Sequence, residues 1–381
     1  MTGKRLFSQG NGSLPYSALP MSASFRETDT MNRCNGHFFT VQYLIVLAIF
    51  GLMICAVPAS AFTNSASLSA QVPHPSIEAV VTATTHTTTV IRVLTDRQCF
   101  PVIQYSTTSR FAESGTFDNK VTGIRSCSSY VFGLMDLEPG TRYYYRVKGC
   151  GDDEKIRSFA TFPVTGTCSF VIYGDSREQV PLYTQTERHK LVADRIADEQ
   201  DILFVVNSGD LVADSADGEE WSRFFNSTDK LRSRTTYIAV PGNHDKDRAL
   251  FRDLFGIAGP YFLDCGNARI LLLDSTDEAN ENLTEQAVRV SSAFSSFHGA
   301  EIVILHHPPY SSDEKHYGGW ENLQKELVPA FQESGVRLVF SSHVHAFEQV
   351  TRDGITYITD ARGGAPAYPL NITRIPGSVR A

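Results

Sequence analysis

The sequence predicts two domains, an all-β sandwich followed by an α/β domain. Between residues 76 and 162, short alternating apolar runs are separated by turn residues and show no helical period. After Pro163, apolar β-rich runs alternate with helical stretches, which is typical of an α/β domain. With 381 residues, the chain is long enough for two cores. We infer a linker at 62–73, the sandwich at 74–163 and the α/β domain at 168–381.

A targeting segment precedes these domains. Residues 43–57 form a 15-residue apolar run that is short for a membrane span, and an A-x-A pattern follows at 59–61. This predicts a signal peptide over residues 1–61 and a secreted protein. The alternative is an uncleaved signal segment that anchors the protein to a membrane.

The charge and the cysteines limit the function further. The net charge is −8, and such an acidic chain argues against non-specific nucleic-acid binding. Five cysteines follow residue 61, and export makes disulfides plausible. We take Cys99–Cys127 and Cys150–Cys168 as first suggestions, although spacing does not fix the pairing. The absence of a C-x-x-C pattern argues against a thiolate metal site.

The first domain carries a turn typical of β-sandwiches. Pro139 and Gly140 form a turn signal, and Tyr143 follows at the start of an alternating run. This is the tyrosine-corner arrangement of immunoglobulin-like and fibronectin-like sandwiches. The predicted strands include 78–82, 89–93, 102–105 and 143–147.

The second domain reads as buried strands with helices between some of them. The predicted strands are 169–173, 202–206, 237–240, 269–273, 302–305 and 338–340, and the helices are 187–199, 219–231 and 320–334. Ligand sites in α/β sheets collect at the carboxyl ends of the strands.

Polar clusters follow five of these strands. They are Gly174-Asp175, Gly209-Asp210, Gly242-Asn243-His244-Asp245, His306-His307-Pro308-Pro309 and His343-Val344-His345. A single Gly-Asp after a strand is usually a turn or a helix cap. The ordered recurrence predicts instead a site where carboxylate, amide and imidazole groups bind metal ions. The set is large enough for two ions.

The ordered clusters resemble the calcineurin-like metallophosphoesterase superfamily over about residues 170–368. The sandwich before them makes the chain similar to purple acid phosphatase-like proteins with an N-terminal fibronectin-like domain. The resemblance implies that the second domain is a four-layer α/β/β/α sandwich. It also implies that Asp210 bridges two ions, that Asn243, His306 and His343 bind the second ion, and that Asp175 and His345 bind the first.

The implied activity is hydrolysis of small phosphate mono- or diesters by a metal-bound hydroxide, with iron, zinc or manganese as the two divalent or trivalent ions. His244 would face the substrate and stabilise phosphoryl oxygens or protonate the leaving group. His316, ten residues after His306, is a candidate general acid, and a solvated loop histidine is the alternative.

The chain departs from the family pattern around the first ion. Arg177 stands where many relatives have a histidine ligand, and Ala213 where purple acid phosphatases have a tyrosine. Water fills the gap, His189 replaces the ligand, or the first ion binds weakly. Arg177 either binds phosphate oxygens or forms a plain salt bridge. The alternative function is a catalytically weak or inactive metal-binding or adhesion module. Ser342 stands where the family usually has a glycine, and we expect this to shift the backbone geometry only modestly.

Overall fold

The first domain is a sandwich of two antiparallel sheets in a computed structural model that describes residues 77–151, 155–256, 259–276, 281–371 and 373–380. The strands are β1 (Ile77–Thr84), β2 (Thr89–Cys99), β3 (Val102–Thr107), β4 (Asn119–Thr122), β5 (Cys127–Leu134), β6 (Arg142–Lys148) and β7 (Arg157–Ala160). One sheet has the order β1-β2-β5 and the other β4-β3-β6-β7. The expected signal peptide and linker lie outside the described residues.

Two details of the sandwich bear on the sequence expectations. The Glu138 amide donates a hydrogen bond to the Tyr143 hydroxyl at 2.8 Å, so the tyrosine closes the turn before β6 as the corner pattern indicates. A short helix, α1 (Thr108–Ser114), connects β3 to β4. The sequence showed no helical period there, because a helix of seven residues is too short to produce one.

The second domain contains the remaining elements. Its strands are β8 (Phe170–Tyr173), β9 (Phe204–Asn207), β10 (Thr236–Ala239), β11 (Tyr261–Cys265), β12 (Ala268–Leu272), β13 (Ala300–Ile304), β14 (Leu338–Ser341), β15 (Phe347–Arg352), β16 (Ile355–Asp360) and β17 (Ser378–Arg380). Its helices are α2 (His189–Ala197), α3 (Gly218–Arg232), α4 (Arg248–Phe255), α5 (Leu283–Phe294), α6 (Glu321–Glu326) and α7 (Val328–Glu333). No helix of the described residues is long and apolar enough to cross a membrane.

These elements form four layers. A three-stranded parallel sheet, β10-β9-β8, faces a seven-stranded mixed sheet, β11-β12-β13-β14-β16-β15-β17. Alternate strand residues separate the layers: Val206 and Ile304 pack between the sheets, Val205 packs under α2, α3 and α4, and Val303 packs under α5, α6 and α7. This is the expected α/β/β/α order, and it follows from apolar side chains on both faces of each central strand.

The predicted helix at 320–334 is divided in two. Helix α6 ends before Leu327, and α7 begins at Val328 with a proline in its first turn. Proline lacks the amide hydrogen that would continue the helix, but it is tolerated at a helix start. The other two predicted helices agree with α2 and α3 to within two residues. Helices α1, α4 and α5 were not predicted.

Strand β1 joins the two domains because both of its faces are buried. Ala79 and Val81 point into the sandwich core, whereas Val80 packs into the core beneath α3. An ion pair also connects the two domains. The Glu78 carboxylate of β1 lies 2.7 Å from the Arg232 guanidinium of α3, and both side chains are at most 5% exposed. A buried pair of this kind holds the domains in one register, since separating the charges leaves each without a partner.

The disulfides differ from the suggested pairings. Cys99 bonds with Cys150 within the sandwich, and Cys168 bonds with Cys265 at the entrance to the second domain. The suggested Cys99–Cys127 and Cys150–Cys168 bonds are therefore wrong. The suggested pairs joined cysteines that are close in sequence. Cys168 and Cys265, however, are 97 residues apart and meet only when the two sheets stack.

Candidate metal centre

The six candidate ligands meet at one edge of the two stacked sheets. Each follows the carboxyl end of a strand: Asp175 follows β8, Asp210 follows β9, Asn243 follows β10, His306 follows β13, and His343 and His345 follow β14. Parallel strands end at the same edge, so residues as far as 170 positions apart come into contact.

The loops are fastened to one another by backbone contacts. The Asp175 amide donates to the Gly209 carbonyl at 2.9 Å, and the Ser176 amide donates to the Asp210 carbonyl at 3.1 Å. A β-carbon on Gly242 would lie 2.2 Å from Oδ1 of Asp210. One on Gly209 would lie 2.4 Å from Nδ1 of His306, so only glycine permits these approaches.

Three ligand atoms converge in the second half of the site. Nδ1 of His343 lies 2.8 Å from Oδ1 of Asn243 and 3.2 Å from Nε2 of His306. The same Nε2 lies 3.1 Å from Asn243 Oδ1 and 3.4 Å from Oδ1 of Asp210. We call the atoms of Asn243, His306 and His343 the second half-site, with Asp210 as its shared carboxylate.

A smaller set faces it across Asp210. Nε2 of His345 lies 3.0 Å from Oδ1 of Asp175, and the other carboxylate oxygen of Asp175 accepts the His343 amide at 2.7 Å. Ligand atoms of Asp175, Asp210 and His306 all lie within 4.8 Å of one another. We call the pair Asp175 and His345 the first half-site; it also shares Asp210.

The hydrogen bonds of the histidines leave their lone pairs turned toward acceptors. His306 donates from Nδ1 to the Ser208 carbonyl at 3.0 Å, and His345 donates from Nδ1 to the Pro366 carbonyl at 2.9 Å. In the neutral rings Nε2 is then an acceptor that faces amide or carboxylate oxygens. Such an arrangement needs a cation between the acceptors, as in histidine metal ligands held by a carbonyl. The residues therefore fit the metal ions that the family pattern implies.

The charge state of His343 also suits a metal ligand. Burial, and after it the neighbouring His306, holds the pKa of His343 far below its ordinary value, so the ring is neutral. A neutral imidazole is the form that binds a metal. The backbone is also unusual here, because Asp175, Asp210 and His343 have φ angles of 55°, 56° and 65°. Backbone strain of this kind concentrates at functional sites.

Two further histidines flank the site. His244 donates from Nδ1 to the Ala213 carbonyl at 2.8 Å, which turns Nε2 toward Oδ2 of Asp210 at 3.9 Å. His316 stacks on Trp320 with ring centres 4.6 Å apart and meets the edge of His343 at 5.4 Å. The His316 side chain is 38% exposed, so the ring borders both the site and solvent.

Sequence reasoning left some neighbours unassigned. His307 donates from Nδ1 to the Ser275 carbonyl at 3.0 Å and lies beside His306 and His343. Asp313 was missed; its buried carboxylate accepts the Nδ1 proton of His316 at 2.9 Å. The signal was present, since Asp313 lies three residues before His316 in a loop rich in turn residues. The ring of Tyr368 stacks on that of His345, with ring centres 4.0 Å apart, and no sequence pattern indicated this contact.

Asp245 connects two of the loops. Its carboxylate accepts the Gly242 amide at 2.9 Å and the Leu211 amide at 3.2 Å. It thereby ties the loop after β10 to the loop after β9. Burial, with a smaller contribution from Asp210, raises the pKa of Asp245 to about 7.

The departures around the first half-site are visible in the structure. Nε of Arg177 lies 3.7 Å from Oδ2 of Asp210. His189 does not replace the missing ligand, because its Nε2 bonds the Tyr173 hydroxyl at 3.0 Å inside the core. Ser342 is fully buried, bonds the Ser208 hydroxyl, and leaves the positive φ angle to His343.

Part of the second domain matches a known protein family. Residues 182–347 match the model of the calcineurin-like phosphoesterase family. The chain is 26% identical to purple acid phosphatase 22 of Arabidopsis thaliana over 73% of this chain and 66% of that protein. It is also 26% identical to purple acid phosphatase 1 of Ipomoea batatas, over 58% of this chain and 51% of that protein. The matches thus span between half and two thirds of these relatives.

Solved structures share the fold. A purple acid phosphatase from yellow lupin seeds superposes with a TM-score of 0.67 at 15% identity, covering 80% of this chain and 67% of that one. The structure of PhoD superposes with a TM-score of 0.62 at 11% identity, covering 75% of this chain and 77% of that one. Residues 182–347 thus match the calcineurin-like phosphoesterase family, and the chain is similar in sequence and in fold to purple acid phosphatases.

Proposed function

We propose that this protein is a secreted, metal-dependent phosphoesterase that hydrolyses small phosphate mono- or diesters at a two-ion centre. One observation carries the proposal: two sets of metal-ligand atoms face each other across Asp210 inside a metallophosphoesterase domain. A single buried carboxylate between two such sets suits a bridging ligand.

The ligand assignment follows the two half-sites. Asn243, His306 and His343 would hold one ion, Asp175 and His345 the other, and Asp210 both. When bound, the ions supply an activated water and neutralise phosphoryl charge. Mixed oxygen and nitrogen donors suit iron, zinc or manganese. Because Ala213 offers no tyrosinate, we do not expect the purple colour of tyrosine-ligated iron.

His244 is proposed as a substrate-facing group. Its Nδ1 proton is committed to the Ala213 carbonyl, so Nε2 is the atom available on the side of Asp210. A proton held on Nε2 would donate to a phosphoryl oxygen or to the leaving group. The ring is about one-third exposed, which leaves it open to a ligand.

His316 is proposed as the general acid. Asp313 fixes Nδ1, and Trp320 covers one face of the ring, so Nε2 keeps one orientation. Proton donation of this kind needs a ring fixed in direction and close to the leaving oxygen. Placement at the edge of His343 puts the ring on the rim of the second half-site.

Arg177 is proposed to contact phosphoryl oxygens of the substrate. Its side chain is 15% exposed beside Asp210, and a guanidinium matches phosphate geometry with two parallel hydrogen bonds. The same position supports a weaker, metal-poor first half-site. This is the observation that favours the second candidate, a catalytically weak or inactive metal-binding or adhesion module.

The first domain is proposed to be fibronectin-like, and the protein to be exported. Two antiparallel sheets of three and four strands and the closed corner at Tyr143 support the first point. The Cys99–Cys150 and Cys168–Cys265 disulfides support export, because such bonds persist in oxidising compartments.

Turnover of aryl phosphates tests the function. The mature chain, loaded in turn with Mn²⁺, Zn²⁺ or iron, is assayed with an aryl monoester and a bis-aryl diester. Metal-dependent hydrolysis of either supports the proposal, and the ratio assigns the substrate class. A folded protein that binds metal but turns over neither ester would instead be the binding module. Secretion is tested separately by recovering the chain from culture medium and sequencing its N-terminus.

A further inference from the structure

We propose that Arg177 competes with the ion of the first half-site for Asp210, so that the two ions bind in order, with the second half-site filled first. The inference rests on the proposed two-ion centre. It deepens that proposal by assigning the arginine a role in metal occupancy that is separate from any contact with substrate.

The two half-sites offer an ion unequal numbers of protein ligands. The second half-site has three converging ligand atoms in addition to Asp210, with separations of 2.8–3.2 Å between them. The first has only Asp175 and His345 in addition to Asp210. Fewer protein ligands leave more of an ion's coordination to water, which weakens binding.

The arginine adds charge to this difference. Where an Asp-x-His pattern would supply a neutral ligand two residues after Asp175, Arg177 supplies a group that stays charged. Its Nε lies 3.7 Å from Oδ2 of Asp210, whereas His306 of the second half-site lies 3.4 Å from Oδ1. The guanidinium and an ion bound to Oδ2 would repel each other at short range.

The contacts of Arg177 allow its side chain to move. Nε is buried and makes no hydrogen bond within the described part of the chain. The backbone is fixed, because the Arg177 amide donates to the Asp210 carbonyl at 3.1 Å. The guanidinium therefore stays near Asp210 mainly by charge, and it would swing away when an ion neutralises that carboxylate. In the one-ion state it supplies the second positive charge of the centre.

Metal titration tests the order. Metal-free protein is titrated with Mn²⁺ and with Zn²⁺ by calorimetry, and occupancy is read by elemental analysis after equilibrium dialysis. We expect two steps for the native chain whose dissociation constants differ at least about tenfold. Arg177→Gln removes the charge and should tighten the weaker step by about tenfold or more, leaving the tight step unchanged. Arg177→His, which restores an imidazole, should tighten it further.

Arg188→Gln is the matched control. Arg188 lies in the same segment, and its guanidinium carbon lies 3.9 Å from the centre of the Tyr183 ring. We expect it to change neither step more than about twofold. The retained tight step and an unchanged circular dichroism spectrum show that each variant is folded.

Three results would overturn the inference: equal affinities in the native chain, a weaker step that Arg177→Gln leaves unchanged or weakens, or an equal effect of Arg188→Gln. A native chain that binds one ion while Arg177→Gln binds two would support it. The outcome is independent of turnover. Ordered binding without hydrolysis would refute the phosphoesterase proposal alone, and hydrolysis without an Arg177 effect would refute this inference alone.

Discussion

The two half-sites share one carboxylate but are built differently. The second gathers its ligands from the ends of β10, β13 and β14, and each ligand atom lies within 3.2 Å of another. The first depends on the single contact between Asp175 and His345, next to an arginine. The family match at 182–347 includes every second-half ligand but begins after Asp175 and Arg177. The departure at Arg177 thus lies beside the first half-site.

This difference shows how a fold can keep a site while one part of it changes. The second half-site is fixed by strands on both sheets and by the Ser208 carbonyl behind His306. The first half-site borders the loop after β8, where Arg177, Tyr183 and Gln185 each have a buried polar atom without a hydrogen bond among the described residues. Buried polar groups of this kind are rare in a finished core and common beside ligand sites.

Replacing the shared carboxylate should have the largest effect. Asp210→Asn removes a charge common to both half-sites, so both ions lose affinity together. Several kcal/mol of charge stabilisation correspond to a fall in kcat of about a thousandfold or more. Steady-state kinetics with an aryl phosphate at saturating metal measure this. An active variant would show that Asp210 does not bridge.

Single-ligand variants should separate the half-sites. His306→Ala removes a ligand of the tight site, and we expect activity at limiting metal to fall by more than about a hundredfold, since even partners of ligands are worth 10–100-fold. His345→Ala should lower the affinity of the weaker step and leave the tighter step in place. Metal titration of both variants is the measurement. Equal loss of both steps in each variant would contradict unequal half-sites.

The general acid should affect only substrates that need one. His316→Ala should slow esters with poor leaving groups by about a hundredfold, whereas esters with good leaving groups lose little. A plot of rate against leaving-group pKa for native and variant protein measures the effect. Parallel plots would mean that His316 has no role as an acid. Asp313→Asn, which keeps the size of the side chain, should produce a partial form of the same pattern.

The smallest effect tests the core beside the first half-site. Burial lowers the pKa of His189 to about 3, so the native ring stays neutral while the unfolded chain takes up a proton below pH 6.5. Its stabilisation is therefore complete above pH 6.5 and is lost as the pH falls toward 3. Between pH 7 and pH 5 the free energy of unfolding should fall by about 2 kcal/mol from this group.

His189→Gln removes the titration while keeping a group that bonds the Tyr173 hydroxyl. Denaturant unfolding at both pH values should show the smaller pH dependence in the variant. Metal affinity should be unchanged, because His189 bonds Tyr173 rather than an ion. A lower affinity of the weaker metal-binding step in His189→Gln would show that the ring does reach the first half-site.

Much of this architecture could be predicted from local patterns. Buried strands such as β9 and β13 are short apolar runs, and the polar residues after them mark the sheet edge where the ligands meet. Strands β15, β16 and β17 were missed because their alternating, partly exposed residues give a weak signal. Helix α5 was missed although Asn282 and Glu285 form a capping box at its start.

Contacts between loops that are distant in sequence could not be predicted from local patterns. Nothing near Asp245 indicates that it would bond Leu211, and nothing near Cys168 indicates Cys265 as its partner. The tautomers of His306 and His345 likewise depend on carbonyls brought close only by folding. These are the features that decide which lone pairs face the metal.

Diffraction at the absorption edge of manganese, from crystals grown with saturating Mn²⁺, tests the central claim most directly. We expect two anomalous peaks per chain, about 3.5–4 Å apart on either side of the Asp210 carboxylate. One peak would lie against Asn243, His306 and His343, and the other against Asp175 and His345. A single peak, no peak, or peaks away from Asp210 would contradict the account.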